Sequence, residues 1–380
     1  MPYETVFPHA FGGLESRNHQ LATALCARGH AVTLAAFYDE DGHAPANRHG
    51  PRLLRLGSSP RLWDDLGRRR VRSALRLAAA MCRIDLSPYD VVETPNMPYA
   101  HLLPLAIRCR LARRPLIVTW YEYWGAYWRG YVRRSEAPVY AAAERMTARL
   151  GTELTAPSRL TADRLGGAHP SRAVRVLPCG IDVQRIRDAA ERGDHTGAPF
   201  VFAGRLLAHK RLDILLRSLT MLRDARPGQP TLTIFGDGPE RARLERLSAE
   251  LGLAGRVRFR GHVRGIETVW EAFGNSRVAV QPSSREGFGL FPLEAMAAGL
   301  PVVYCDSPDS AVGELVRDGR EGVRSTADPA ALARALADAS GPRWAEMSRT
   351  ARGRAREYDW ATITPRFEDL YLEVTAARRR

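Results

Sequence analysis

The chain has 380 residues, 45% apolar and 26% charged, globular proportions that exclude a disordered or fibrous protein and, at this length, predict two domains. Its formal charge of +14 points to acidic partners, nucleotide phosphates or anionic lipid, and its 56 basic residues include one lysine, Lys210. No apolar run is long enough to span a bilayer and the first residues lack a secretory pattern, so a cytoplasmic protein is expected, with room for peripheral contact at the inner membrane face.

In chain order, only residues 3–7 stand before Pro8 and the pair Gly12-Gly13, where a doubly wound domain normally begins with a full strand. Part of that strand is therefore expected to be cut off. Residues 14–28 keep helical spacing up to a stop at Gly29, and residues 31–37 read as a buried strand. The segment 61–83 interleaves seven arginines with Leu62, Trp63, Leu66, Val71, Leu75 and Leu77. It reads as a basic amphipathic helix, either a solvated face or a contact for a membrane surface. Strands are expected at 91–92, 116–119, 153–155 and 174–177, with helices between them. The five cysteines, Cys26, Cys82, Cys109, Cys179 and Cys305, lack CxxC spacing, so neither a disulfide framework nor a zinc site is expected.

After a polar, glycine-bearing linker at 191–199 the alternation restarts. Strands are expected at 200–203, 232–235, 257–259, 278–280 and 302–304, and helices at 211–223, 239–251, 266–273 and 290–298. Repeated strand–helix alternation predicts an α/β chain of two Rossmann-like, doubly wound domains, residues 1–180 and 181–360. A final helix at about 361–378 is expected to return to the first.

Two segments carry chemistry. In the first, the strand at 200–203 leads through Gly204-Arg205 to Lys210 and a helix, a turn that directs backbone N–H groups and two full positive charges at an anion. In the second, residues 281–303 place Glu286 in a glycine loop and Glu294 in the helix that follows. Gly287 and Gly289 leave the intervening backbone open to close approach. Carboxylates accept from hydroxyl donors and grip vicinal hydroxyls, which fits a ribose or a hexose.

Those motifs, together with Gly236-Asp237-Gly238-Pro239, residues 257–263, Leu177-Pro178-Cys179-Gly180-Ile181-Asp182 and Gly12-Gly13, run in the order of the family 4 glycosyltransferases of the GT-B fold, which the chain resembles from end to end. The resemblance implies two domains facing a cleft and a retaining transfer of a hexose from a nucleotide-diphosphate sugar to a glycan, lipid-linked or small-molecule acceptor. It further implies that Arg205 and Lys210 hold the diphosphate, Glu286 the transferred sugar and Glu294 the ribose. Gly287, Phe288, Gly289 and Leu290 would complete the donor contacts, and His262 and Val263 would lie near the base. Catalysis would rest on Glu286, Arg205 and Lys210, with no cofactor and no metal. On the acceptor or sugar side stand Gly12, Gly13 and Tyr121, the last where family members often place a histidine. The aromatics Trp120, Tyr121, Tyr123, Trp124, Tyr127 and Trp128 are either an acceptor platform or core packing.

Two other functions share the donor site: a GT-B-fold sugar-nucleotide epimerase, and a sugar-nucleotide binder impaired in catalysis. Nucleic acid is suggested by charge alone and is not expected as a partner.

Overall fold

The structure, a computed structural model, describes all residues except 8, 10–11, 40–49, 61, 63–69, 194–198, 223–231, 264 and 378–380. The chain divides into two compact units, Met1–Gly180 joined by the stretch from Trp360 onward, and Ile181–Asp359. The head of the basic segment, with Arg61, Arg68 and Arg69, and residues 194–198 of the linker lie outside the described residues.

The elements of the first unit follow as α1 (Gly13–Ala27), β1 (Thr33–Phe37), β2 (Arg52–Gly57), α2 (Val71–Arg83), β3 (Val92–Pro95), α3 (Leu102–Leu111), β4 (Leu116–Thr119), α4 (Trp128–Tyr131), α5 (Ala137–Thr147), β5 (Glu153–Ala156), α6 (Arg159–Ala168) and β6 (Val174–Val176). Strands β3-β4-β5-β6 form one parallel sheet and β1-β2 a second. Residues 1–4 run beside β1, where Pro2 bridges Ala35 in parallel and Tyr3 N–H donates to the Ala35 carbonyl at 2.9 Å. Strand β2 escaped the sequence reading: its residues are exposed or half-buried and Arg52 and Arg55 break the alternation by which a strand is recognised.

Buried leucines and Trp120 fill the space between the four-stranded sheet and its helices. In α2 the inward residues are Ser73, Leu77 and Met81, four apart as one helix face requires, while Val71 and Leu75 stay exposed.

The second unit runs α7 (Val183–Glu191), β7 (Phe200–Ala203), α8 (Leu212–Leu219), β8 (Leu232–Phe235), α9 (Arg241–Glu250), β9 (Val257–Gly261), α10 (Glu267–Gly274), β10 (Val278–Gln281), α11 (Leu290–Ala298), β11 (Val302–Cys305), α12 (Val312–Leu315), β12 (Gly322–Ser325), α13 (Pro329–Ala339) and α14 (Trp344–Arg356). Helix α15 (Trp360–Ala376) then returns to the first unit. Its six strands are parallel in the order β12-β11-β10-β7-β8-β9. The chain thus builds outward from β7 in one direction and from β10 in the other. Strands on both sides of that reversal read as continuous apolar runs because helices cover both faces. Helix α11 is buried on almost every side, with Leu293, Ala295, Met296 and Ala297 fully enclosed, which explains why it lacks a polar stripe.

Candidate functional site

In an open parallel sheet the crevice for a ligand lies beyond the carboxyl ends of the strands, where the strand order reverses. Here that point is between β7 and β10, which pair through Phe200↔Val278 and Val201↔Ala279. The loop after β7 delivers Lys210 and the loop after β10 delivers Glu286. Lys210 Nζ lies 2.6 Å from Glu286 Oε2, and both side chains are largely covered. Gln281, the last residue of β10, donates from Nε2 to the same oxygen at 2.6 Å and to Ser283 Oγ at 3.0 Å.

Backbone contacts hold this arrangement from three sides. The His209 carbonyl accepts from the Ser284 amide at 2.8 Å and from Ser284 Oγ at 3.2 Å. Glu286 N–H donates to the Asp309 carbonyl, and the Glu286 carbonyl accepts from Ala311 N–H at 2.8 Å. Leu206 N–H donates to the Asp237 carbonyl at 2.9 Å. This last contact explains Gly236: at φ +113, a Cβ on it would lie 2.1 Å from the Gly204 carbonyl oxygen, so only glycine lets the β8 loop close on the β7 loop.

The site is electropositive. Burial, reinforced by Lys210, Arg285 and Arg205, pushes the His209 imidazole down to about 4 against the opposing pull of Glu286. His209 is therefore neutral in the physiological range and adds a hydrogen-bonding ring without charge. Glu294, the fifth residue of α11, has its carboxyl raised to about 7 by burial, with the Trp270 indole acting the other way. Arg285 is 4% exposed and sits in the same loop.

The other residues expected on the donor side spread along the same strand ends. Gly289 caps α11 at φ +108, Gly287 and Leu290 flank it half-buried, and Phe288 is buried with its ring 6.1 Å from that of Tyr358. His262 is exposed and Val263 half-exposed just past β9, the edge strand, with β8 between them and β7.

In the first unit, Gly12 caps α1 and Gly13 opens it, and Glu15 occupies that helix start, accepting from Thr5 Oγ1 at 2.6 Å. The Tyr121 hydroxyl is enclosed and has no hydrogen-bond partner among the described residues, and burial raises it well above the ordinary phenol value despite Arg17 nearby. At neutral pH it stays protonated and cannot serve as a base. Of the aromatic run, Trp120 and Trp128 are core, while Tyr123, Trp124 and Tyr127 are half-exposed.

Glu144 organises that run and was missed in the sequence, because nothing in a helical glutamate signals burial. It is fully buried and accepts from Tyr99 Oη at 2.8 Å, Trp124 N–H at 2.8 Å, Gly125 N–H at 2.7 Å and Trp128 Nε1 at 3.2 Å. Glu144→Gln turns an amide N–H₂ toward donors. It is expected to cost roughly 1–3 kcal/mol, read as a lower denaturant midpoint with an unchanged slope.

Among the described residues no group of three or more His, Cys, Asp or Glu is placed to hold a metal ion, and no helix is long and apolar enough to cross a membrane.

Comparison with known proteins places these features. Residues 11–185 match the model of Glycosyltransferase Family 4 and residues 198–340 that of Glycosyl transferases group 1. The chain is 35% identical to D-inositol 3-phosphate glycosyltransferase of Streptomyces avermitilis over 64% of its own length and 55% of that protein, so it spans little more than half of that relative. It is 29% identical to glycogen synthase of Mycobacterium tuberculosis over 98% of its length and 94% of that protein. Among solved structures, sucrose-phosphate synthase from Thermosynechococcus elongatus superposes with a TM-score of 0.76 at 22% identity, covering 96% of this chain and 94% of that one. HepE of Anabaena, in complex with UDP and glucose, superposes with a TM-score of 0.73 at 20% identity, covering 97% of each chain. The fold these structures share is GT-B.

Proposed function

Since the chain belongs to the family 4 glycosyltransferases, we propose that it transfers a hexose, with retention of configuration, from a nucleotide-diphosphate sugar bound at the β7–β10 reversal to a glycan, lipid-linked or small-molecule acceptor. The observation that carries this reading is the Lys210–Glu286 pair at 2.6 Å, a cation and a hydroxyl acceptor converging on the crevice. In this reading the diphosphate competes for Lys210 and releases Glu286 to accept from the sugar hydroxyls. Negative charge grows on the diphosphate as the glycosidic bond breaks, and Lys210 with Arg205 stabilises it without reorganisation. Glu294 accepts from the ribose hydroxyls.

Thermal melts across uridine, guanosine and adenosine diphosphates and their hexose conjugates test the reading, with uridine first because HepE was solved with UDP. One base is expected to raise the melting temperature, because a ligand selective for the native state stabilises it. No response to any nucleotide would defeat the donor site. Stabilisation with neither transfer nor slow hydrolysis would favour the impaired binder.

Ribose binding by a carboxylate also makes a pH prediction. The Glu294 carboxyl at about 7 must ionise to accept from two hydroxyls, so affinity for the nucleotide sugar rises between pH 6 and 8, and Glu294→Gln flattens that rise. Isothermal titration at several pH values measures it. The sign for the unliganded protein is opposite: a folded carboxyl raised above its unfolded value binds the extra proton, so this group's contribution to stability falls as pH climbs from about 4.3 toward 7.

The exposed Val71 and Leu75 beside Arg72, Arg76 and Arg83 on α2 support peripheral contact with an anionic membrane surface. Co-sedimentation with phosphatidylglycerol vesicles, lost in phosphatidylcholine and at high salt, is expected.

A further inference from the structure

Gln281 ends β10, a strand with β7 on one side and β11 on the other, and pairs in register with Tyr304. It is 3% exposed. Both N–H donors of its amide are committed: Nε2 lies 2.6 Å from Glu286 Oε2 and 3.0 Å from the Oγ of buried Ser283. Its Oε1 is enclosed and has no hydrogen-bond partner among the described residues. Turning the amide over would set Oε1 against the Glu286 carboxylate and repel it. A buried acceptor without a partner destabilises a fold, so packing alone does not account for a glutamine where an apolar side chain of the same length would fit.

Glu286 is held at its backbone as well as its side chain. Its N–H donates to the Asp309 carbonyl and its carbonyl accepts from Ala311 N–H. Among the described residues both side-chain donors to its carboxylate, Lys210 and Gln281, go to Oε2, which leaves Oε1 for a hydroxyl. The two donors differ in charge and in mounting. A bound diphosphate attracts the ammonium of Lys210, which stands on a loop. The amide of Gln281 is neutral, has no net charge to follow the phosphate, and is fixed to the interior of the sheet.

We infer that Gln281 is a positioning residue for hexose transfer: it keeps the Glu286 carboxylate aimed at the transferred sugar once the diphosphate has drawn Lys210 away. This inference rests on the donor-site reading above and divides the work of that site. Lys210 responds to the phosphate, and Gln281 holds the hydroxyl acceptor still. Without it the glutamate side chain is free to change rotamer, and a misplacement of about 1 Å at a reacting group costs on the order of 10²-fold in rate.

Gln281→Met keeps the length of the side chain and removes the donors together with the unpartnered acceptor, so its melting temperature should equal or exceed that of the parent. The probes are uridine diphosphate and its glucose conjugate, or whichever nucleotide pair the thermal melts select. Affinity for the diphosphate should be unchanged in Gln281→Met. The ratio of affinities, hexose conjugate over diphosphate, should fall about tenfold, and kcat roughly 10²-fold. Gln281→Leu, shorter and apolar, is the second variant and is expected to show the same split. In Glu286→Ala the ratio falls as well, and adding Gln281→Met to it should lower neither quantity further, because residues that act through one carboxylate are not additive. Isothermal titration and steady-state kinetics on these variants measure both quantities. Effects of Gln281→Met and Glu286→Ala that multiply would overturn the inference. So would a loss of stability with equal loss of both ligands, or parent-like transfer by the Gln281 variants while Glu286→Ala is impaired. Each of those leaves the donor reading standing. A Glu286→Ala protein with the parent's affinity ratio and turnover would instead defeat that reading, and the inference with it.

Discussion

Lys210→Ala is expected to abolish nucleotide-diphosphate stabilisation and to lower turnover by roughly 10²–10³-fold, the loss seen when one preorganised charge-stabilising group is removed. The lysine is 15% exposed and already in contact with Glu286, so its ammonium is held at the crevice before any ligand arrives and spends little entropy in binding. Removing it also leaves Glu286 facing the diphosphate with Gln281 as its remaining side-chain donor among the described residues, and a carboxylate opposed to a phosphate repels it. Lys210→Arg keeps the charge but brings a wider, planar head into a site sized for a compact one, so partial recovery of binding and less of turnover are expected. Steady-state kinetics and thermal melts on both variants measure the two effects separately. An arginine variant that binds and turns over like the parent would show that charge alone matters there.

Arg17→Met is expected to produce the largest loss of stability. Arg17 and Glu93 are 3% and 5% exposed and paired at 2.8 Å between α1 and β3. Glu93 also accepts from Thr119 Oγ1 at 2.9 Å and from the Tyr371 hydroxyl, so α1, β3, β4 and α15 meet at one carboxylate. Breaking a buried pair by removing one partner costs roughly 3–5 kcal/mol because a charge is left without compensation. In a domain of this size each kcal/mol lowers the melting temperature by about 2–4 °C. Burial alone would raise the Glu93 carboxyl, but Arg17 with the Tyr371 and Thr119 hydroxyls more than offsets this and holds it below the usual carboxylate range. A depressed folded value gives stability that is present above the unfolded value, about 4.3, and lost as pH falls through the folded one. In Arg17→Met the sign reverses, since the isolated carboxyl titrates upward and prefers its proton. The gap between parent and variant should therefore narrow as pH falls from 7 toward 4.5. Adding Glu93→Gln to Arg17→Met should return much of the loss at neutral pH. A single variant within about 1 kcal/mol of the parent by urea denaturation would contradict this assignment.

How much of this was legible beforehand differs between the units. The apolar runs of β7, β8, β10 and β11 and the helical spacing of α8 survive in the sequence because these elements are buried on one or both faces. The glycines of the β8 and β10 loops mark turns where backbone must pass close. Lys210 and Glu286 were picked out 76 residues apart, and the fold brings them into contact. Gln281 and His209 were not selected, because a glutamine ending a strand and a histidine in a loop acquire meaning only when three loops converge. In the first unit β2 has no alternation, and Arg17, Glu93 and Glu144 read locally as solvated charges on a helix or strand. Their burial is a tertiary event, set by partners 16 to 278 residues away. Tyr121 was expected on the acceptor or sugar side, and its hydroxyl is buried without a hydrogen-bond partner among the described residues, an enclosure that an isolated tyrosine in a loop does not signal.

The most direct measurement is a crystal structure of the protein with the nucleoside diphosphate that stabilises it most. The expected result places the diphosphate at the reversal between β7 and β10, within hydrogen-bonding distance of Lys210 Nζ and the Arg205 guanidinium, with Glu294 on the ribose and the Lys210–Glu286 contact opened. A nucleotide bound elsewhere, with that ion pair intact at 2.6 Å, would contradict the assignment of this site.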